Sequence, residues 1–217
     1  MNIQDSIIFF MEILGTIAFA ASGAMVGIRK QMDIFGICVL GVVTAVGGGM
    51  TRDVILGKLP SALEKPVYVV VSVITSLAIF ILLYIKHDLL SGRLGTFYDK
   101  AMLIMDSVGL GIFTSLGVMS GIDNGYPDNS FLLVFIGMLT GVGGGLLRDI
   151  MARQTPYILK KHVYACASIA GGICYSFLLS SPVNNDIAMI TSAALVIAIR
   201  LLATHYCWNL PRALKQS

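Results

Sequence analysis

Charged residues are scarce in this chain. Asp, Glu, Lys and Arg make up 12% of its 217 residues, where a soluble domain carries about 25%. That shortage excludes an ordinary soluble fold. The net charge of +3 is small, and no basic stripe with interleaved aromatics appears, so nothing points to nucleic acid. Cysteine is limited to Cys38, Cys166, Cys174 and Cys207. All four lie in or beside apolar runs without metal-ligand spacing, and they read as small buried apolar residues rather than disulfides or a metal site. The three histidines, His87, His162 and His205, show no HExxH spacing and read as interfacial residues near membrane ends. A nucleophile elbow, a phosphate-binding GxxxxGK[ST] loop and a paired catalytic carboxylate are all missing. No catalytic residue, cofactor or metal is expected, and an enzyme is not the reading.

Hydrophobic residues, in contrast, reach 56%. The expected fold is an all-α integral membrane protein in the lipid bilayer, forming a single transmembrane domain over 1–217. Apolar runs predict seven spans, at about 7–28, 34–56, 67–85, 101–121, 131–151, 163–179 and 187–204. The segment at the first run lacks a basic n-region and carries Asp5 and Glu12, so it reads as a span and not a leader. Lys and Arg in short loops resist translocation. With the N-terminus outside and the C-terminus cytoplasmic, one side collects Arg29, Lys30, Lys86, Arg93, Lys100, Arg153, Lys160, Lys161, Arg212 and Lys215. The other side keeps Lys58 and Lys65. Tyr84, Tyr206 and Trp208 read as aromatic-belt anchors.

The chain repeats itself. "TAVGGGMTRD" (44–53) returns as "TGVGGGLLRD" (140–149), with seven of ten positions identical at a shift of 96. The same shift pairs Pro60 with Pro156 and Tyr68 with Tyr164, while a shift of 94 pairs Glu12 with Asp106 and Gly23 with Gly117. The first three spans (7–86) therefore recur as the next three (101–180), and the seventh (187–205) is an addition. Three is odd, so the second copy enters the membrane upside down. A 3+3 inverted repeat is a common plan in transport proteins, with the pathway at the repeat interface.

The glycine triplets Gly47, Gly48, Gly49 and Gly143, Gly144, Gly145 permit two readings. Small residues four apart let membrane helices approach closely. Three in a row also cost roughly 3 kcal/mol of helix propensity, inviting a kink or an unwound turn whose carbonyls line a wet path. The second reading is favoured for the triplets. Thr44 and Thr140, repeated beside them, are the hydroxyls best placed to line a pore. Arg52 with Asp53, and Arg148 with Asp149, are intramembrane charges and so functional candidates. Being adjacent on a helix, the members of each pair are not expected to face each other. Gating or bracing is expected of the arginines, and capping or pairing of the aspartates. Glu12 and Asp106 read as acids near helix starts, favoured there by the macrodipole, or as cation-attracting groups at each mouth.

Two copies of GGGxxRD, each followed by a proline eight residues after its Arg, in a seven-span chain of this length, resemble the bacterial UPF0126 family. That family is similar to the trimeric intracellular cation (TRIC) channels, and its repeated domain is also labelled a glycine-transporter domain. The resemblance covers nearly the whole chain. It implies an inner (plasma) membrane location, a homotrimer, a pore inside each protomer, and kinks at the triplets of the second and fifth spans. The implied activity is passive permeation of monovalent cations, K⁺ with some Na⁺. No match to the lipid-binding basic residues of the animal channels is found. An alternating-access carrier for a small zwitterion such as glycine fits the inverted repeat equally well. A purely structural role fits worse, because the doubled polar motifs are costly without a pathway.

Overall fold

The computed structural model describes residues 3–85, 93–160, 163–206 and 208. Lys86, His87, Lys161, His162, Cys207, Arg212 and Lys215 lie outside the described residues. The elements are α1 (Ile3–Arg29), α2 (Ile34–Ile55), α3 (Ser61–Glu64), α4 (Val67–Ile85), α5 (Arg93–Asp123), α6 (Ser130–Met151), α7 (Tyr157–Lys160), α8 (Val163–Leu179) and α9 (Asn185–His205). No strand occurs among them. Six of these helices are long and apolar enough to cross a membrane, and α8 is a shorter apolar helix of 17 residues. At 1.5 Å per residue α8 is about 26 Å long, just short of a typical hydrocarbon core.

Local chemistry sets the helix ends. Asp33 caps α2 by accepting the Gly36 amide at 2.7 Å, and Asn129 caps α6 by accepting that of Leu132 at 3.0 Å. At the other ends, α2 and α6 close with the same turn. The Lys58 amide bonds to the Asp53 carbonyl, and the Gln154 amide to that of Asp149. This is a Schellman motif, which needs a left-handed residue one position earlier. Gly57 supplies it at φ 70° in the first copy, and Arg153 adopts φ 50° in the second.

Two expected loops contain structure. The segments after α2 and α6 each hold a one-turn helix, α3 and α7. The segment before the fourth span, expected as a polar loop up to 100, is helical from Arg93. Its outer turn is tied to α1: Arg29 pairs with Asp99 and lies over the Tyr98 ring, and the Tyr98 hydroxyl donates to the Met25 carbonyl.

The helices pack as two similar groups. α1 lies on α2 and α4, as α5 lies on α6 and α8, and the groups meet through α2 against α6 and α1 against α5. α9 covers α5 and α8 and has no counterpart in the first group. Small and polar residues, such as Ser22, Ser72, Ser76, Ser168 and Ser192, are fully buried, while Phe10, Phe131 and Phe177 point outward. That distribution suits a helix bundle in lipid, where close contact of small residues does the packing.

Candidate functional site

Both glycine triplets are wound as α-helix, which corrects the expectation of an unwound turn with freed carbonyls. The triplets instead form the crossing of α2 and α6. A Cβ on Gly48 would strike the Thr140 carbonyl oxygen, and one on Gly144 would strike that of Thr44. A Cβ on Gly143 would stand 3.0 Å from the Gly48 Cα, and one on Gly47 would stand 2.7 Å from a Leu147 methyl. Here the lost helix propensity is offset by backbone-to-backbone contact that no other residue permits.

The threonines beside the triplets are corrected too. The Thr44 hydroxyl donates to the Leu40 carbonyl at 2.6 Å and that of Thr140 to the Ile136 carbonyl at 2.7 Å. Both are buried, pressed against Gly23 and Gly117. They belong to the packing seam and line no open surface.

The Arg–Asp pairs do what sequence adjacency argued against. Arg52 Nε donates to Asp53 Oδ1 at 2.8 Å, and Arg148 Nε to Asp149 Oδ1 at 2.9 Å. Both side chains bend to the same flank of the last helical turn, where the long arginine stem reaches its neighbour. The aspartates brace the next stretch of chain. Asp53 Oδ2 accepts the Ser61 amide at 2.8 Å and its hydroxyl at 2.9 Å. Asp149 Oδ2 accepts the Tyr157 amide at 2.8 Å. Each carboxylate thus caps the one-turn helix after its own span. Lys58 and Gln154, again equivalent positions, complete the two carboxylates from 3.5 Å and 2.8 Å.

Beyond this frame the copies part. In the first, Glu12, Thr16, Gly49, Arg52, Asp53, Ser61 and Tyr68 line a cavity of ≈ 50 Å³, floored by Phe113 and Leu116 of α5. The Tyr68 hydroxyl donates to the Glu12 carboxylate. Arg52 keeps 12% of its side chain exposed. In the second copy, Arg148 is fully enclosed. One terminal nitrogen, Nη1, donates to Asp106 Oδ1 at 2.6 Å and to the Ser22 hydroxyl at 2.6 Å, and its guanidinium lies 5.3 Å from the Tyr157 ring centroid. A polar cavity at one motif therefore contrasts with a buried ion pair at its twin.

Glu12 and Asp106 sit well inside α1 and α5, so the macrodipole account of them is corrected. Glu12 lines the cavity beside α2, and Asp106 lies in the ion pair. Sequence reasoning gave no role to Tyr68, Tyr164, Ser61 or Gln154, and passed over Arg200 of α9 altogether. Arg200 is 2% exposed, with its guanidinium 4.6 Å from the Tyr164 ring centroid. An arginine deep in an apolar span is signal enough; it was missed because the repeat offers it no twin.

The fold and the paired motifs can now be set beside known proteins. A family model described as "Glycine transporter" matches the chain twice, over 9–84 and 103–180. The UPF0126 inner membrane protein YadS of Escherichia coli (strain K12) is 36% identical over 210 residues, covering 94% of this chain and 95% of that protein. The chain belongs to the UPF0126 family. Solved relatives extend the family. A chain described under "Structural basis for conductance through TRIC cation channels" is 34% identical at a TM-score of 0.82, covering 96% of this chain and 98% of that one. A prokaryotic TRIC channel crystallised in 0.5 M KCl is 30% identical at a TM-score of 0.83, covering 94% and 99%. This UPF0126 chain is thus a membrane protein of the TRIC fold.

Proposed function

We propose that this protein is a monovalent cation channel, passing K⁺ and also Na⁺ through a pore inside each protomer of a homotrimer. The carrying observation is the cavity against α2, where two carboxylates, Glu12 and Asp53, share the wall with Tyr68, Thr16 and Arg52. A cation losing part of its hydration there meets carboxylate, hydroxyl and phenol oxygens. Arg52 is held by Asp53, which mutes its repulsion. The path continues past the α2–α6 crossing toward the inverted copy, where the Arg148–Asp106–Ser22 cluster closes it. Opening requires Arg148 to leave Asp106. The pathway follows α2 and α6, flanked by the repeats at 7–86 and 101–180. The arginine and lysine asymmetry supports an orientation with the N-terminus outside and the C-terminus in the cytoplasm. Identity to solved TRIC cation channels over nearly the whole chain supports the reading.

A cavity present at one motif and sealed at its inverted twin is also what an alternating-access carrier displays, and the family model bears the description "Glycine transporter". Planar bilayers holding the purified protein under a KCl gradient separate the two. Discrete current steps reversing near the K⁺ potential are expected. Silent bilayers together with saturable glycine uptake in proteoliposomes would replace the channel by the carrier.

A further inference from the structure

Behind the closed motif lies a second polar cluster. Asp106, Arg148, Tyr164 and Arg200 are each 2% exposed or less. Each still has polar atoms without a protein partner: Asp106 Oδ2, Arg148 Nη2, the Tyr164 hydroxyl, and Nε and Nη2 of Arg200. Each such buried group is costly if nothing satisfies it. Five in one neighbourhood call for a ligand.

Gly145 shows where it sits. A Cβ there would be 2.8 Å from the Tyr164 hydroxyl, 3.6 Å from Arg148 Nη2 and 3.7 Å from Asp106 Oδ1. The missing side chain leaves a notch rimmed by α5, α6 and α8. Arg200, stacked on Tyr164, brings α9 to the same place. At the equivalent Gly49, Arg52 Nη2 at 3.8 Å is the one neighbour within contact range.

Charge selects the occupant. Arg148 and Arg200 are balanced by Asp106 and Asp149, so an anion would leave the cluster negative and a cation would face two guanidinium groups. The unpartnered atoms are mostly donors with one carboxylate acceptor. A small neutral molecule that both gives and takes hydrogen bonds fits, and buried water typically makes about three.

We propose that the notch over Gly145 is a hydration site, where water links Asp106, Arg148 and Tyr164 to Arg200, and that Arg200 is the positioning residue that lets the Asp106–Arg148 pair open. The site stands on geometry alone, whereas the role of Arg200 rests on the channel reading. Water offers Asp106 a replacement hydrogen bond when Arg148 withdraws. Arg200 keeps the carboxylate compensated meanwhile, so opening leaves no bare buried charge.

Radiolytic hydroxyl labelling of the full-length trimer, read by mass spectrometry, tests the site, because bound water generates radicals beside the residue it touches. Tyr175 is the internal control: it is fully buried, and its hydroxyl bonds to Asn185 at 2.9 Å. Tyr164 is expected to label about five-fold faster or more, as a residue beside trapped water. Gly145→Ala, which fills the notch, should erase that difference. Equal labelling of the two tyrosines in the unaltered protein overturns the site. For Arg200, Arg200→Met should change mean open time severalfold and Arg200→Lys should restore it. Unchanged gating in Arg200→Met overturns its role. Fast Tyr164 labelling in a protein that carries no cation current would uphold the site while removing the channel reading and the gate role.

Discussion

Arg52 and Arg148 occupy the same place in two copies of one motif, bond to the aspartate beside them, and lie just before the same turn. Yet Arg52 edges a cavity and Arg148 is walled in. The difference comes from what the neighbouring group presents. At the first copy, α5 offers Phe113 and Leu116. At the second, the equivalent positions of α1 are Phe19 and Ser22. Arg148 finds a hydroxyl across the interface where Arg52 would find an apolar branch. The acids differ as well. Asp106 reaches Arg148 directly, whereas the longer Glu12 is engaged by Tyr68. Finally, α9 stands beside one copy alone. Near-identical ten-residue motifs thus do unequal jobs because their partners lie in other helices.

The largest test of this asymmetry is to remove each arginine in turn. Arg148→Met takes from Asp106 the guanidinium bonded directly to it and should cost about 3–5 kcal/mol, as for other broken buried pairs. Arg52→Met should cost about 1–2 kcal/mol, because Asp53 keeps Ser61 and Lys58. Thermal melts of the two variants in detergent measure the gap. Equal melting temperatures would mean that the enclosed pair contributes no more than the pair at the cavity edge.

A smaller effect is expected from exchanging the partner. Leu116→Ser gives Arg52 the hydroxyl that Ser22 gives Arg148. It is expected to draw Arg52 across the cavity and lower the cation current severalfold, with stability reduced by about 2–3 kcal/mol for the lost apolar volume. Ser22→Leu is the reciprocal change and should raise resting current by loosening Arg148. If both variants conduct like the unaltered protein, the contrast between the copies has no part in gating.

How much of the fold and the site is legible in the sequence depends on the range of the interaction. The membrane class, the spans and the doubled motif follow from hydropathy and from identity at a fixed shift, both local properties of the chain. The one-turn helices α3 and α7 were hidden because four residues carry no periodicity; they form because the Asp53 and Asp149 carboxylates supply the missing caps from eight residues upstream. The self-paired arginines were missed by treating helix positions as fixed directions, although a side chain as long as arginine can turn back. The partnership of Arg148 with Ser22 spans 126 positions, and no spacing rule reaches that far. For the triplets, propensity argued for unwinding. The crossing of α2 and α6 overrode it, since a helix that meets another backbone has more to gain from lacking Cβ atoms than it loses in stiffness. Gly48→Leu or Gly144→Leu should accordingly unseat the crossing and lower the yield of folded protein, rather than leave an intact protein without current.

The last glycine of each triplet gives the smallest effect and the finest discrimination. Both are helical and equivalent in the repeat, so propensity alone predicts that alanine stabilises each by about 0.5–1 kcal/mol. Gly49 should obey, because its Cβ would meet nothing closer than Arg52 Nη2 at 3.8 Å. Gly145 should not, because the added methyl would press on the Tyr164 hydroxyl at 2.8 Å and crowd the polar groups around it, a penalty of about 1–3 kcal/mol. Gly49→Ala is therefore expected to melt slightly above the unaltered protein and Gly145→Ala below it. The sign difference is the informative part. If both variants rise together, the second motif is as roomy as the first, and its enclosure of Arg148 reflects side-chain placement rather than a closed backbone.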